Sequence, residues 1–153
     1  MRSSLLLLLT VLPAGAAAQR RLTAWEAGVG GVAALAAADF LGAALGVARR
    51  PGGQTRVAAT VVPGVLEGRA ALRIEATGQF VVTPWARGGV GPYAGMGVAW
   101  RGAERVPGGI FLTALVGIEA APGRRFGWYA EAGVGGGARL AGGVRWRRFP
   151  GWW

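Results

Sequence analysis

Residues 71–82 read ALRIEATGQFVV, and the pattern of this stretch decides the fold. Polar side chains take every second position, at Arg73, Glu75, Thr77 and Gln79, and apolar or small residues fill the positions between them. This alternation predicts a β-strand, because successive side chains of a strand point to opposite faces. Which of the two faces meets water has to be inferred from the rest of the chain.

The same alternation recurs along the chain, and turn-forming sequences separate the segments, Pro51-Gly52-Gly53 being the clearest. We predict strands over residues 23–35, 40–49, 56–62, 71–82, 92–101, 110–121, 128–136 and 139–149. No interval between them resembles a crossover helix, so consecutive strands should pair as antiparallel hairpins. The sequence therefore predicts an all-β fold of about eight up-and-down antiparallel strands.

The composition is unusual for a water-soluble domain. Glycine supplies 29 of 153 residues, which is far above the roughly 7% of average proteins. The mean hydropathy is +0.38, with 52% hydrophobic and only 16% charged residues. These values indicate that part of the surface faces something other than water.

The first 18 residues have the anatomy of a secretory signal peptide. A single positive charge at Arg2 precedes the apolar run of residues 5–12, and three alanines at 16–18 offer a cleavage site. We therefore divide the chain into a signal peptide (1–18) and a barrel domain (19–153), with a retained helical anchor as the alternative. The chain has no cysteine, so no disulfide can stabilise the exported domain.

The four glutamates within the predicted strands, at positions 26, 75, 119 and 131, all lie opposite the apolar rows, and Arg73 and Arg145 lie mid-strand on the same polar side. If the apolar rows faced inward, the outer surface would be rich in glycine rather than in the mixed charges of soluble proteins. The inverted arrangement, with apolar rows against lipid and polar rows inside, explains more, and it makes the fold a transmembrane barrel. Buried charges must be paired, so we predict a charge network in the lumen formed by Glu26, Arg73, Glu75, Glu119, Glu131 and Arg145, with Arg56 as a further candidate.

This network can be read as a structural plug or as an ion pathway. An eight-stranded barrel is just wide enough for side chains to fill its interior, which favours the plug. The tryptophans point to the same setting, because most of them fall near strand ends or in breaks. Aromatic girdles occupy those positions at membrane interfaces, and we assign to them Trp25, Trp85, Trp100, Trp128 and Trp146, ordinary core tryptophans being the alternative.

The segments VGPYAGMGVAW (90–100) and WYAEAGVGGGARLAGGVRWRRF (128–149) resemble small bacterial outer-membrane β-barrel proteins of the OmpA/OmpX-like, eight-stranded kind. The resemblance implies a Gram-negative outer membrane, contact with its lipid, and insertion by the barrel-assembly machinery, which would read Phe149 or Trp153. It also implies periplasmic termini, with the breaks near residues 36–39, 63–68, 102–108 and 136–138 outside the cell. These breaks are short, so no large adhesive surface is expected.

The residue inventory argues against catalysis. Ser3 and Ser4 are the only serines and belong to the signal peptide, and the chain has no cysteine, histidine or lysine. The usual activated nucleophiles and general bases are therefore missing, and we predict no enzymatic activity, cofactor or metal. The glycine clusters at Gly28 and Gly133 fit a dinucleotide-binding pattern only loosely, because no βαβ unit accompanies them.

Three arginine pairs, 49–50, 124–125 and 147–148, lie next to predicted strand ends. Export makes nucleic acid an improbable partner. At the periplasmic rim the pairs could contact anionic head groups, or they could simply be solvated turns.

The sequence thus favours an integral outer-membrane barrel with a structural or narrow-pore role. The main alternative is a soluble periplasmic barrel that binds an apolar ligand, which would require the apolar rows to face inward. A second alternative treats residues 28–47 as a membrane helix, although their glycine content argues against it.

Overall fold

The computed structural model describes residues 22–153, so the predicted signal peptide lies outside the described residues. The described chain is all-β and forms eight strands. They are β1 (Ala24–Leu35), β2 (Phe40–Gly52), β3 (Thr55–Leu66), β4 (Arg69–Val81), β5 (Val90–Ala103), β6 (Val106–Ala120), β7 (Phe126–Val134) and β8 (Ala138–Arg148).

Each strand pairs antiparallel with its neighbour in sequence, and β1 pairs with β8 to close the barrel. The predicted fold class is confirmed, and each of the eight predicted segments corresponds to one strand. The alternative helix over residues 28–47 is wrong, because residues 28–35 and 40–47 belong to β1 and β2 and residues 36–39 connect them. Within the described residues no helix is both long enough and apolar enough to cross a membrane.

Three connections shrink to two residues each. The predicted breaks at 50–55, 63–68 and 102–108 become 53–54, 67–68 and 104–105, and the strands continue through the rest. Glu67 and Gly68 adopt φ angles of 48° and 78°, and Arg105 adopts 61°. Two-residue turns with such left-handed backbone match the twist of the flanking strands. The hydrogen-bonded pairing of the strands therefore extends to the turn itself.

The connections define two ends of the barrel. At the terminal end, β1 begins and β8 ends, beside the connections 53–54, 82–89 and 121–125. The far end carries the connections 36–39, 67–68, 104–105 and 135–137.

The apolar rows face outward and the charged rows face inward. Ile110 and Leu112 are 78% and 83% exposed, whereas Arg56 and Glu119 are fully buried. The soluble alternative required the opposite orientation and is inconsistent with this arrangement. Side chains on alternate positions of every strand therefore build a largely charged interior, which is the candidate functional site.

Candidate functional site

Glu119, near the end of β6, lies at the centre of a cluster of arginines. Its carboxylate oxygens accept hydrogen bonds from Arg56 at 2.5 and 2.7 Å, from Arg147 at 2.9 Å and from Arg145 at 3.0 Å. Arg50 adds a fourth contact at 3.1 Å. Four guanidinium groups from β2, β3 and β8 thus converge on one fully buried carboxylate.

Glu26 on β1 completes this cluster at the terminal end of the lumen. It forms ion pairs with Arg50 and, at 3.3 Å, with Arg56. Arg50 also donates to the backbone carbonyls of Pro84 and Pro122, at 3.3 and 3.2 Å. The connections 82–89 and 121–125 therefore fold over this end of the barrel and are fastened to the buried charges.

A second cluster lies toward the far end. Arg139 contacts Glu75 at 2.8 Å and Glu131 at 2.9 Å, so one side chain of β8 joins carboxylates from β4 and β7. Arg73 contacts Glu75 at 2.6 Å and donates to the carbonyl of Gly135 at 2.8 Å. Each carboxylate in this cluster is therefore shared between arginines.

Arg145 connects the two clusters. Its guanidinium contacts Glu119 at 3.0 Å and Glu131 at 2.8 Å. It lies 4.0 Å from the ring centroid of Tyr129, close enough for a cation–π interaction. Tyr93, whose hydroxyl donates to Glu131 at 2.7 Å, lies 5.3 Å from the same guanidinium. The charges and phenol rings form one continuous network along the lumen.

Glycine makes room for these bulky groups, and Gly117 shows how. It lies opposite Tyr93 in the β5–β6 ladder, and a Cβ atom at this position would come within 2.5 Å of the Tyr93 ring. Side chains in protein interiors are packed closely enough that even one extra methyl group is felt. The glycine-rich inward rows are therefore part of the packing of the network.

We predict that Gly117→Ala destabilises the barrel by about 1–3 kcal/mol, the usual cost of overpacking. The added methyl group would displace Tyr93 from Glu131. Gly78→Ala is the matched control, since Gly78 faces outward and a Cβ there meets nothing within 4 Å. Urea unfolding of the refolded proteins measures both changes. Equal stability of the two variants would contradict the role assigned to Gly117.

Part of the interior is apolar, which the sequence analysis did not anticipate. Near the far end, β1, β2 and β3 contribute a buried cluster made of Val32, Ala34, Phe40, Ala44, Val62 and Leu66. Val32 and Ala34 lie an even number of residues from Glu26, and so on the same inward face of β1. This spacing could have predicted their position in the interior. The inward rows of β1, β2 and β3 therefore become apolar near the far end.

The lumen is filled and carries excess positive charge. The ion-paired network of the lumen contains six arginines and four glutamates, which leaves it a formal charge of +2. Its members are Arg50, Arg56, Arg73, Arg139, Arg145 and Arg147 with Glu26, Glu75, Glu119 and Glu131. The interior cavity amounts to about 40 Å³. That is room for a few water molecules at most. Among residues 22–153 no three acidic side chains are placed to hold a metal ion.

The structure brings together all six residues of the predicted lumen network, as well as Arg56. It adds Arg50, Arg139 and Arg147, which sequence reasoning had left out. Arg139 and Arg147 could have been found from the sequence, because each lies an even number of residues from Arg145 and therefore on the same face of the strand.

All three arginine pairs lie at the terminal end, next to strand ends, but in two of them only one arginine faces outward. Alternation splits each of these pairs across the barrel wall: Arg50 and Arg147 are buried, while Arg49 and Arg148 are exposed. Arg124 and Arg125 are both exposed, in the connection 121–125.

The five predicted interface tryptophans are all exposed, but they are distributed unequally. Trp25, Trp128 and Trp146 lie within three residues of strand ends at the terminal end, and Trp85 lies in the connection 82–89. Trp100 alone of the five lies toward the far end. Most of the exposed indole rings therefore form one girdle rather than two equal ones.

Three solved structures are similar to this fold. The N-terminal β-barrel domain of Pseudomonas aeruginosa OprF matches with a TM-score of 0.60 and 15% identity, over 82% of this chain and 97% of that one. The outer membrane protein OprG from the same organism matches at 0.58 and 8%, over 84% and 96%. Neisserial surface protein A matches at 0.56 and 15%, over 81% and 96%.

Sequence comparison adds no relative, since no protein-family model and no curated protein matches the chain. The structural matches cover nearly the whole of each similar chain at low sequence identity, so what they share with this chain is the fold. The chain therefore has the closed eight-stranded barrel fold of these outer-membrane proteins, and the resemblance read from its sequence is confirmed at that level.

Proposed function

We propose that the chain is an integral β-barrel of a bacterial outer membrane, with a structural role and an interior closed to solutes. The single observation that carries this proposal is the inversion of the barrel, in which apolar rows face outward and a paired charge network fills the lumen. Lipid accounts for the first feature, and closure of the barrel accounts for the second.

The outward belt fits a bilayer. Exposed charged side chains of the strands are confined to strand ends, at Arg49, Arg69 and Arg148. The strands have 9 to 15 residues, and about 9–11 tilted residues suffice to cross the hydrocarbon core. Recovery in the outer-membrane fraction, with heat-modifiable gel migration, is the expected result. A protein found in the soluble periplasmic fraction would overturn the proposal.

The two ends differ in a way that bears on function. By analogy with similar barrels, the terminal end faces the periplasm and the far end faces outward. The far-end connections are only two to four residues long, whereas residues 82–89 form the longest connection, at the terminal end. Such short outer connections offer little surface for binding a large ligand, which supports a structural role.

A closed interior predicts an absence of conductance. The cavity of about 40 Å³ is lined in part by ion-paired side chains, and Arg50, Pro84 and Pro122 are fully buried at the terminal end. In planar bilayers the purified protein should therefore give no steady single-channel current. A large and stable conductance from the same preparation would contradict the closed barrel.

A narrow anion pathway is the second candidate, because arginine is in excess in the lumen. Arg73 and Arg101 are directly opposite in the β4–β5 ladder, and each has a buried guanidinium nitrogen with no hydrogen-bond partner among residues 22–153. In the same recordings, any small current carried by this route should favour chloride over potassium in a salt gradient. Cation selectivity would exclude it.

The remaining predictions concern chemistry and assembly. No catalytic role is proposed, because the mature chain lacks serine, cysteine, histidine and lysine. Export by the signal peptide and insertion by the barrel-assembly machinery are expected, with Phe149 or Trp153 as the residue recognised. Depletion of that machinery should leave the chain unfolded in the periplasm, and unaffected assembly would argue against this partner.

A further inference from the structure

The exposed charges of the barrel are sorted between its two ends. At the terminal end every exposed charged side chain of the described residues is an arginine: Arg49, Arg87, Arg124, Arg125 and Arg148. The far-end turns carry a mixture, with Asp39, Glu67, Glu104 and Arg105. The basic end is also the one that carries the tryptophan girdle, so positive charge and indole rings coincide there.

Arg49 and Arg148 form the most defined feature of this end. In the strand ladders both residues lie directly opposite Trp25, one on each side, and all three side chains are exposed. The guanidinium of Arg49 lies 5.2 Å from the Trp25 ring centroid. Neither guanidinium forms an ion pair or a hydrogen bond within residues 22–153.

These side chains line a groove of about 290 Å³ on the outer wall, whose lining residues include Thr23, Trp25, Arg49, Arg148, Phe149 and Pro150. Next along the strands toward the barrel middle is an apolar surface, formed by Ala27 with its ladder partners Val47 and Trp146. The groove thus joins two unpaired cations to the apolar belt.

We propose that this groove, here called the Arg49–Arg148 groove, binds the head group of an anionic glycerophospholipid. Arg49 and Arg148 lie two strand spacings apart, about 10 Å between backbones, so two long side chains can converge on one phosphate. Guanidinium groups bind phosphate through paired, charge-assisted hydrogen bonds. An acyl chain would then lie over Ala27 and Val47.

A lipid phosphate fits the groove better than a free phosphate ion. A free ion would use only the two guanidinium groups, whereas a lipid also covers the indole ring of Trp25 and the apolar surface beside it. The inference rests on the proposed membrane location, because the groove opens toward the outward belt. It specifies one lipid class for that location, recognised through negative charge.

The test uses native mass spectrometry of the refolded full chain with phosphatidylglycerol or phosphatidylcholine. The wild type should retain phosphatidylglycerol preferentially, and the Arg49→Gln/Arg148→Gln variant should lose at least about tenfold in affinity, since even one charged hydrogen-bonded contact is worth that much. The variant Arg124→Gln/Arg125→Gln removes the same charge from the same end and should keep the preference. Equal losses of affinity in the two variants, or a wild type that does not prefer phosphatidylglycerol, would contradict the proposed lipid site.

Two further measurements distinguish failure of the proposed lipid site from failure of the proposed function. Inorganic phosphate at the same concentration should leave the lipid bound, and its displacement would indicate a free-anion site instead. Insertion of the wild type into phosphatidylcholine vesicles tests the membrane proposal by itself. A chain that inserts there but shows no lipid preference refutes only the groove, whereas a chain that fails to insert into any vesicle refutes the proposed function.

Discussion

Replacing Glu119 by glutamine is expected to destabilise the folded barrel by about 3–5 kcal/mol, the usual cost of breaking a buried ion pair. The substitution keeps the size of the side chain and removes its charge. Four arginines contact this carboxylate, and Glu26 would be the remaining acid in their cluster. The formal charge of the ion-paired network would rise from +2 to +3 in a place that water barely reaches.

Urea unfolding of the barrel refolded in vesicles measures the effect. Glu67→Gln is the matched control for the same substitution, because Glu67 is exposed in the turn 67–68 and its carboxylate forms no ion pair among the described residues. The double variant Glu119→Gln/Arg147→Gln should recover part of the lost stability, since it also removes one of the unpaired cations. A single variant as stable as the control would show that the cluster does not hold the barrel together.

Ile74→Arg should impair assembly into the membrane. Ile74 lies in the middle of β4, faces outward, and pairs with Val61 and Trp100 in the neighbouring strands. An arginine on the lipid face near the bilayer midplane costs about 2–4 kcal/mol. The folded fraction in vesicles, read from heat-modifiable migration, should therefore fall severalfold.

Thr77→Ala is the control for this prediction. Thr77 lies on the opposite face of the same strand, is buried, and accepts one hydrogen bond, from Gln79 at 3.0 Å. Its loss removes a single neutral contact, worth about 1 kcal/mol, and leaves the lipid-facing surface unchanged. Equal tolerance at the two positions would count against the inverted barrel.

The residues of β4 illustrate what could be read from the sequence. Alternation assigned Arg73, Glu75, Thr77 and Gln79 to one face, and the structure buries all four. The same reasoning located the other seven strands and the inward position of Glu26, Glu119 and Glu131. It succeeded because a strand has a period of two, so the face of each residue is a local property of the chain.

The positions of the arginines could be predicted only in part. Arg50 and Arg147 belong to the buried network, yet their sequence neighbours Arg49 and Arg148 are exposed, so a pair of adjacent arginines could not be interpreted as a unit. The apolar cluster around Phe40 and Leu66 was likewise missed. Alternation shows which face of a strand a residue occupies, but not its level along the barrel axis.

By itself the sequence determined the strands, their antiparallel order, and the inversion of polar and apolar faces. The tertiary structure alone decided which charges meet, since Glu119 contacts arginines 26 to 69 positions away. It also decided the two-residue turns, the covering of the terminal end by residues 82–89, and the gathering of most indole rings at that end. These features depend on the register and closure of eight strands, which bring distant residues to the same level of the barrel and which no local pattern encodes.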